Sequence, residues 1–186
     1  TRRHIFFVDD NLLANHESAK SLLRALIPLK IHWVSQASLD MTTDPELMDL
    51  MAISGCLGNV IGFESIDPDN LVEMGKAPNL KGGADQYAEQ IEILRQYGLL
   101  TWAAFTIGHD HDTPESILAL LEFARKNRFA FAAFNVLMPY PGTPLYQRLQ
   151  AAGRLLYDGQ WWLHPEYRFN FAAFRPARMS ADELTQ

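Results

Sequence analysis

Five times along this chain a short apolar run ends in polar or glycine residues and passes straight into a helix-like segment. The first instance sets the pattern. Ile5-Phe6-Phe7-Val8 is rich in β-branched and aromatic side chains and suits a buried strand. Asp9 and Asp10 follow without a spacer, and Asn11 opens the polar segment. Ile31–Val34 leads into Ser35-Gln36, Val60–Phe63 into Glu64-Ser65, and Leu99–Ile107 into Gly108-His109-Asp110-His111-Asp112. Phe131–Leu137 leads into Met138-Pro139-Tyr140-Pro141-Gly142-Thr143-Pro144. Strands alternating with helices at intervals of roughly 26 to 40 residues read as βα units. The expected class is therefore α/β: a partial (β/α) barrel, TIM-barrel-like, with about five units. Right-handed crossovers bring every strand's carboxyl end to one face, where such folds collect their chemistry. Five units are too few for the usual eight-stranded closure.

The helices carry their own punctuation. Apolar residues recur at helical spacing over Leu12–Leu26, and Pro28 ends the run. Thr43 or Asp44 caps the next helix, with Pro45 in its first turn and Gly55 as its stop. A short helix is expected at Asp69–Met74, followed by an irregular loop around Pro78 and Gly82-Gly83. Ala84–Tyr97 is helical with Ile91 and Leu94 inward, Thr113-Pro114-Glu115 opens a helix to Asn127, and Leu145–Ala152 is a short helix stopped by Gly153. Residues 1–153 thus form the barrel part. Residues 154–186 form an irregular aromatic extension, with Trp161, Trp162, Tyr167, Phe169, Phe171 and Phe174, that packs on the barrel. Near its end Ser180 and Glu183 have capping-box spacing.

Composition narrows the function classes. A formal charge of -6 disfavours a general nucleic-acid or anionic-membrane binder, which relies on clustered Lys and Arg. No apolar run reaches the roughly 18 residues of a membrane span, and the start lacks a signal-peptide core. The single cysteine, Cys56, excludes an internal disulfide and fits a cytoplasmic location. Beginning at Thr1 and breaking off in a nascent helix, the chain reads as part of a longer protein. A partial barrel of that kind leaves Ile5–Val8 as an exposed edge that invites association.

The strand ends collect Asp9, Asp10, Asn11, Ser35, Gln36, Glu64, Ser65, Thr106, Gly108, His109, Asp110, Asn135, Tyr140 and Gly142. This rim of carboxylates, amides, hydroxyls and glycine, without Lys or Arg, suits the ammonium and hydroxyl groups of a small ligand. It is poor for phosphates, and neither a P-loop nor a GxGxxG is present. Each feature has a plainer reading beside it. Asp10 also reads as a helix cap and Glu64 as half of a structural ion pair. His109-Asp110-His111-Asp112 reads as a solvated loop before a metal cluster, because neighbours on an extended segment point apart and no spaced third ligand follows. Cys56 reads as a packed thiol. The Pro139–Pro144 stretch reads as a stiff turn, or as a flat platform for a nucleobase with backbone groups free to bond its edge. No metal ligand set and no catalytic residue is assigned.

Taken in order, Phe6-Val8-Asp9-Asp10-Asn11, Trp33-Val34-Ser35-Gln36, Gly62-Phe63-Glu64-Ser65, Phe105-Thr106-Ile107-Gly108 with Asp112-Thr113-Pro114, and Pro139–Pro144 resemble the radical S-adenosylmethionine (SAM) superfamily. The resemblance runs from about residue 5 to 175 and is closest to members with an N-terminal cobalamin-binding domain. It implies a six-unit partial barrel of which this chain carries the second strand onward. It implies Asp9 and Asp10 at the methionine ammonium group, with Asn11, Ser35 and Gln36 among the cofactor-binding residues of the rim. Glu64 and Ser65 fall at the ribose or amino-acid part, Thr106 and Gly108 beside the adenosine, and Val136, Pro139 and Tyr140 along the adenine, with Asn135 among the cofactor-binding residues of the rim. The family's CxxxCxxC motif, which holds its 4Fe-4S cluster, is absent. One cysteine cannot supply three thiolates. The resemblance therefore implies cluster ligands, and any cobalamin domain, upstream in the parent protein, and no family catalysis by this segment alone. It also implies a small-molecule substrate and includes cobalamin-dependent methyl transfer among the reactions. Two other readings stay open: a metal-dependent hydrolase or lyase barrel using Asp9, Asp10, Glu64, His109 and His111, and a non-enzymatic binding module.

Overall fold

The sequence's five apolar runs become five strands of one sheet. They are β1 (His4–Phe7), β2 (His32–Ala37), β3 (Cys56–Glu64), β4 (Leu100–Ile107) and β5 (Phe131–Val136), hydrogen-bonded in the order 1-2-3-4-5. The pairings of β2 with β1 and β3 are parallel, and helices fill the connections. The helices are α1 (His16–Leu26), α2 (Pro45–Ser54), α3 (Pro68–Glu73), α4 (Gly83–Gln96), α5 (Pro114–Asn127), α6 (Pro144–Ala151) and α7 (Ala181–Thr185). This computed structural model describes residues 3–75 and 83–186; the loop expected around Pro78 and Gly82 lies outside them.

Local chemistry sets the boundaries. Helix α1 begins four residues later than its apolar spacing implies, because the side chain of Asn15 accepts the Ser18 N–H (2.9 Å) and caps it there. Asn11 instead makes a turn, its Oδ1 accepting the Leu13 N–H at 3.2 Å. The reading of Asp10 as the helix cap is thereby overturned. Asp44 caps α2 by accepting from Leu47 N (3.1 Å), with Pro45 behind it. Gly55 ends α2 at φ +94, and a Cβ there would strike the Ile31 carbonyl, so only glycine fits. β2 runs past Val34, so that Ser35 and Gln36 lie within the strand rather than beyond it. β3 starts at Cys56, earlier than expected, directly after that glycine.

β2, β3 from Asn59 onward, and β4 as far as Thr106 alternate with period two between a buried and a more open face. On β2, Trp33, Ser35 and Ala37 are buried, while Val34 and Gln36 share the open side. On β3 the open side carries Val60, Gly62 and Glu64; on β4 it carries Leu100, Trp102, Ala104 and Thr106. In each case the polar residues come at or near the strand's carboxyl end.

The chain divides into two compact units. The first holds the chain as far as Phe63, α4 with β4 to Ala104, and Ala124–Ala133. Its core is built on Trp33, Leu23, Leu47, Met51, Ile61 and Ile91, and the Trp33 indole N–H is satisfied by Ser54 Oγ (3.1 Å). Phe63 meets the rings of Tyr87 and Phe129, each with centroids 5.2 Å away. Lys20 joins α1 to the start of α2 through Asp44 (2.8 Å) and Glu46 (3.1 Å).

The second unit holds Glu64 to the end of α3, Phe105–Phe123 and Phe134–Gln186. Phe105 stacks on Phe134 (5.2 Å). Val136, Leu149, Ala172, Phe174 and Leu184 form a second buried cluster. The extension reaches this core through Phe174 and Leu184, and folds on itself through the Leu155–Phe174 bridge and through Arg175 N donating to Arg154 O (2.8 Å). Its aromatics do not all pack: Phe174 is 1% exposed but Phe169 is 88% exposed. The Ser180–Glu183 capping box of α7 forms as its spacing implies.

Candidate functional site

The strand-end residues fall into two groups. In the first unit, Asp9 and Asp10 stand exposed immediately after β1. Asn11 donates from Nδ2 to Ser38 Oγ (2.7 Å), which donates to Asp40 (2.6 Å), so the loop after β1 is fastened to the one after β2. Gln36 is half-buried on the open side of β2, and its carbonyl accepts from Leu12 N (3.3 Å). Ser35 is fully buried, and its hydroxyl accepts from Asn59 Nδ2 at 2.9 Å. Its place is between β2 and β3 as a brace, not on the open side with Gln36.

In the second unit the geometry is tighter. Glu64 closes β3 with φ +64, a left-handed conformation that a side chain of this type adopts only where its surroundings hold it. Its carboxylate accepts from Thr106 Oγ1 at 2.9 Å, so two candidates 42 residues apart meet. Ser65 is buried, and its Oγ accepts from Asp67 N (3.0 Å) in the turn before α3.

The His109–Asp112 turn is not a solvated loop. His109 and Asp112 are each 5% exposed. One oxygen of Asp112 accepts from the Gly108 and His109 N–H groups (2.8 and 2.9 Å), and the other from Asn70 Nδ2 (2.7 Å). Asn70, from α3, closes the circuit by accepting from His111 N (3.3 Å). The carboxylate folds its own turn because a buried anion is stable only where several donors point at it. Burial holds the His109 imidazole below the ordinary histidine range despite the surrounding carboxylates.

Three expectations of the rim need correction. Arginine is present: Arg154 donates to Asp110 (2.7 Å) and holds that carboxyl below the usual range, while Arg148 of α6 pairs with Glu73 and approaches Asp110 at 3.8 Å. Gly108 does not leave room for a ligand. A Cβ placed there would lie 2.6 Å from Leu184 Cδ2, so the chain's own α7 occupies the space, and its φ of +99 is what needs glycine. Nor are the backbone donors around Tyr140 free. Val136 N donates to Asn170 Oδ1 (2.7 Å), Leu137 N to Ile107 O (2.8 Å) and Tyr140 N to Met138 O (3.0 Å). Val136 and Pro139 are buried, Asn135 is exposed, and Tyr140 is 59% exposed with its ring 6.0 Å from that of Trp161.

Asn70, Arg148, Arg154 and Asn170 are thus the contributors that local reading missed. Each is an ordinary polar residue in sequence, and only its partner, 34 to 75 residues away, gives it meaning. Among the described residues no three His, Cys, Asp or Glu side chains gather closely enough to hold a metal ion. Cys56 is buried in β3, and burial pushes its thiol up to about 12, the opposite of what a metal ligand needs. No helix of the described residues is long and apolar enough to cross a membrane.

No family model matches the chain. It is 28% identical over 180 residues to the bacteriochlorophyllide d C-12(1)-methyltransferase of Chlorobaculum tepidum, covering 97% of the chain and 38% of that protein. It is 30% identical over 163 residues to the hopanoid C-2 methylase of Rhodopseudomonas palustris, covering 84% of the chain and 30% of that protein. Its fold is similar to TsrM of Kitasatospora setae, a radical SAM methyltransferase solved with cobalamin and a 4Fe-4S cluster. The TM-score is 0.66 at 22% identity, over 83% of this chain and 30% of TsrM. The chain therefore spans about a third of the length of the proteins it matches.

Proposed function

We propose that the chain belongs to the radical S-adenosylmethionine superfamily and is the SAM-holding part of a cobalamin-dependent methyltransferase. The observation that carries this reading is the Glu64–Thr106 contact at the ends of two strands. Glu64 is kept in a left-handed conformation that costs roughly 1–2 kcal/mol, with its carboxylate tethered by a hydroxyl. Strain retained around a tethered carboxylate favours a binding role over a mere ion pair, and an acceptor-only group suits ribose hydroxyls.

In this reading Asp9 and Asp10 receive the ammonium group of SAM, being exposed carboxylates directly at a strand end. Gln36 and Asn135 supply amides. Tyr140, backed by Trp161, provides the aromatic wall for the adenine, with its face rather than backbone N–H groups making the contact. Ser35, Ser65 and Gly108 support these residues instead of touching the ligand. Asn11 ties the loop that presents Asp9 and Asp10.

In enzymes of this class a bound 4Fe-4S cluster supplies the electron that splits SAM. The donor set of this chain does not fit that cluster: one cysteine is present, and it is buried. The cluster ligands and the cobalamin-binding domain therefore belong to other parts of the parent protein, which acts on a small-molecule substrate in the cytoplasm.

The test uses the full-length parent, reconstituted anaerobically with iron and sulfide. A 4Fe-4S absorbance and reductive cleavage of SAM to 5′-deoxyadenosine are expected, with SAM affinity falling about tenfold in Glu64→Gln. No cluster and no cleavage would overturn the reading.

A further inference from the structure

Asp9 and Asp10 stand on a loop that burial does little to place. Val8 is 75% exposed, and both aspartates are exposed. The residue after them does the fastening. Asn11 Oδ1 accepts the Leu13 N–H, which leaves Nδ2 to donate outward, and it reaches Ser38 Oγ at 2.7 Å. The Ser38 hydroxyl donates in turn to Asp40 Oδ1 (2.6 Å). The other oxygen of Asp40 faces His16 Nε2 (3.4 Å), and His16 Nδ1 faces Asp44 Oδ2 (3.3 Å). That same oxygen of Asp44 pairs with the buried Lys20 of α1 (2.8 Å). A continuous run of polar side chains thus leads from the residue beside Asp10 to an ion pair at the starts of two helices.

Ser38 is the link that its local structure does not explain. It directly precedes the 3-10 turn Leu39–Thr43, where a serine ordinarily accepts a backbone N–H of the turn, and it makes no such bond. Nor is it buried. Its hydroxyl serves Asn11 of one strand-end loop and Asp40 of the next. Donating to a carboxylate polarises the hydroxyl, so Asp40 makes Ser38 a stronger acceptor for the Asn11 amide than a serine alone would be.

We propose that Ser38 and Asp40 are positioning residues for the ligand's ammonium group: acting through Asn11, they set where Asp9 and Asp10 stand without touching the ligand. The proposal rests on the reading of Asp9 and Asp10 as the ammonium contacts and extends it to the loop after β2.

The experiment is calorimetric titration of the reconstituted full-length parent with two thioethers, S-adenosylhomocysteine and 5′-methylthioadenosine. They share the adenosine and the sulfur, and only the first carries the amino-acid part. Ser38 and Asp40 are both exposed, so their alanine variants are expected to fold. Ser38→Ala should weaken S-adenosylhomocysteine about fivefold, the worth of one hydrogen bond, and leave 5′-methylthioadenosine unchanged. Asp40→Ala should reproduce this selective loss. Ser38→Thr keeps a hydroxyl and should restore the affinity. Asp9→Asn combined with Asp10→Asn tests the contacts themselves and should also weaken only S-adenosylhomocysteine. If that double variant binds both ligands as the wild type does, the ammonium reading falls and the proposal with it. If it loses S-adenosylhomocysteine selectively while Ser38→Ala and Asp40→Ala lose neither ligand, or both equally, the positioning role alone is overturned.

Discussion

Asn170 Oδ1 accepts the backbone N–H of Val136 at 2.7 Å. The same amide donates from Nδ2 to the Phe134 carbonyl at 3.1 Å. One side chain thereby does for β5 what a neighbouring strand would do: it pairs a donor and an acceptor on the outer edge of the sheet. Asn170 reaches this position with φ +66, a left-handed conformation that asparagine tolerates better than most residues.

Asn170→Ala should therefore destabilise the protein by about 2 kcal/mol, from two lost edge bonds and added backbone strain. Asn170→Gly relieves the strain but not the bonds and should recover part of the loss. Urea denaturation followed by circular dichroism measures both. Equal stability of wild type and Asn170→Ala would show that the edge does not need the amide.

Asp112 is the anchor of its turn. Replacing it by alanine orphans the Gly108 and His109 N–H groups and Asn70 Nδ2 together. A loss of roughly 3 kcal/mol is expected. Amide exchange at Gly108 and His109 should accelerate before that of β4. Uniform acceleration over both would mean that the turn unfolds only with the whole.

The pH dependence follows from the sign of the His109 shift. Its folded-state affinity for a proton is lowered by burial, so the unfolded chain protonates first as pH falls. Stability from this group is complete above the ordinary histidine value of about 6.5 and declines as pH drops through that value toward the folded one. Melting temperature should fall across this window in the wild type, and less steeply in His109→Phe. Parallel curves for the two proteins would refute the assignment.

Association is expected from the first unit. Phe6, Leu100, Trp102 and Phe131 are each about half exposed or more and border one apolar cavity of about 420 Å³, with the Trp102 and Phe131 rings 4.7 Å apart. β1 lies at the edge of the sheet and pairs with β2 alone among the described strands. A contiguous apolar patch beside an open edge favours self-association. Light scattering of the isolated chain at micromolar concentration should report species larger than 21.1 kDa, reduced by Trp102→Glu. A monodisperse monomer would count against this.

The sequence by itself determined the order and kind of elements. Asp44, Pro45 and Gly55 bracket α2, Thr143 and Pro144 open α6, and Ser180 with Glu183 opens α7, because capping and backbone restriction act between residues at most a few positions apart. Period-two alternation likewise foretells that Glu64 and Thr106 end up on the open sides of their strands. What the tertiary structure alone decided is how long-range polar partners are matched. That Ser35 would be spent on Asn59, Asp110 on Arg154, Gly108 on Leu184 and Val136 on Asn170 depends on where distant segments come to rest. A hydrogen bond or ion pair depends on distance in space, and neither the spacing nor the type of one partner encodes the position of the other.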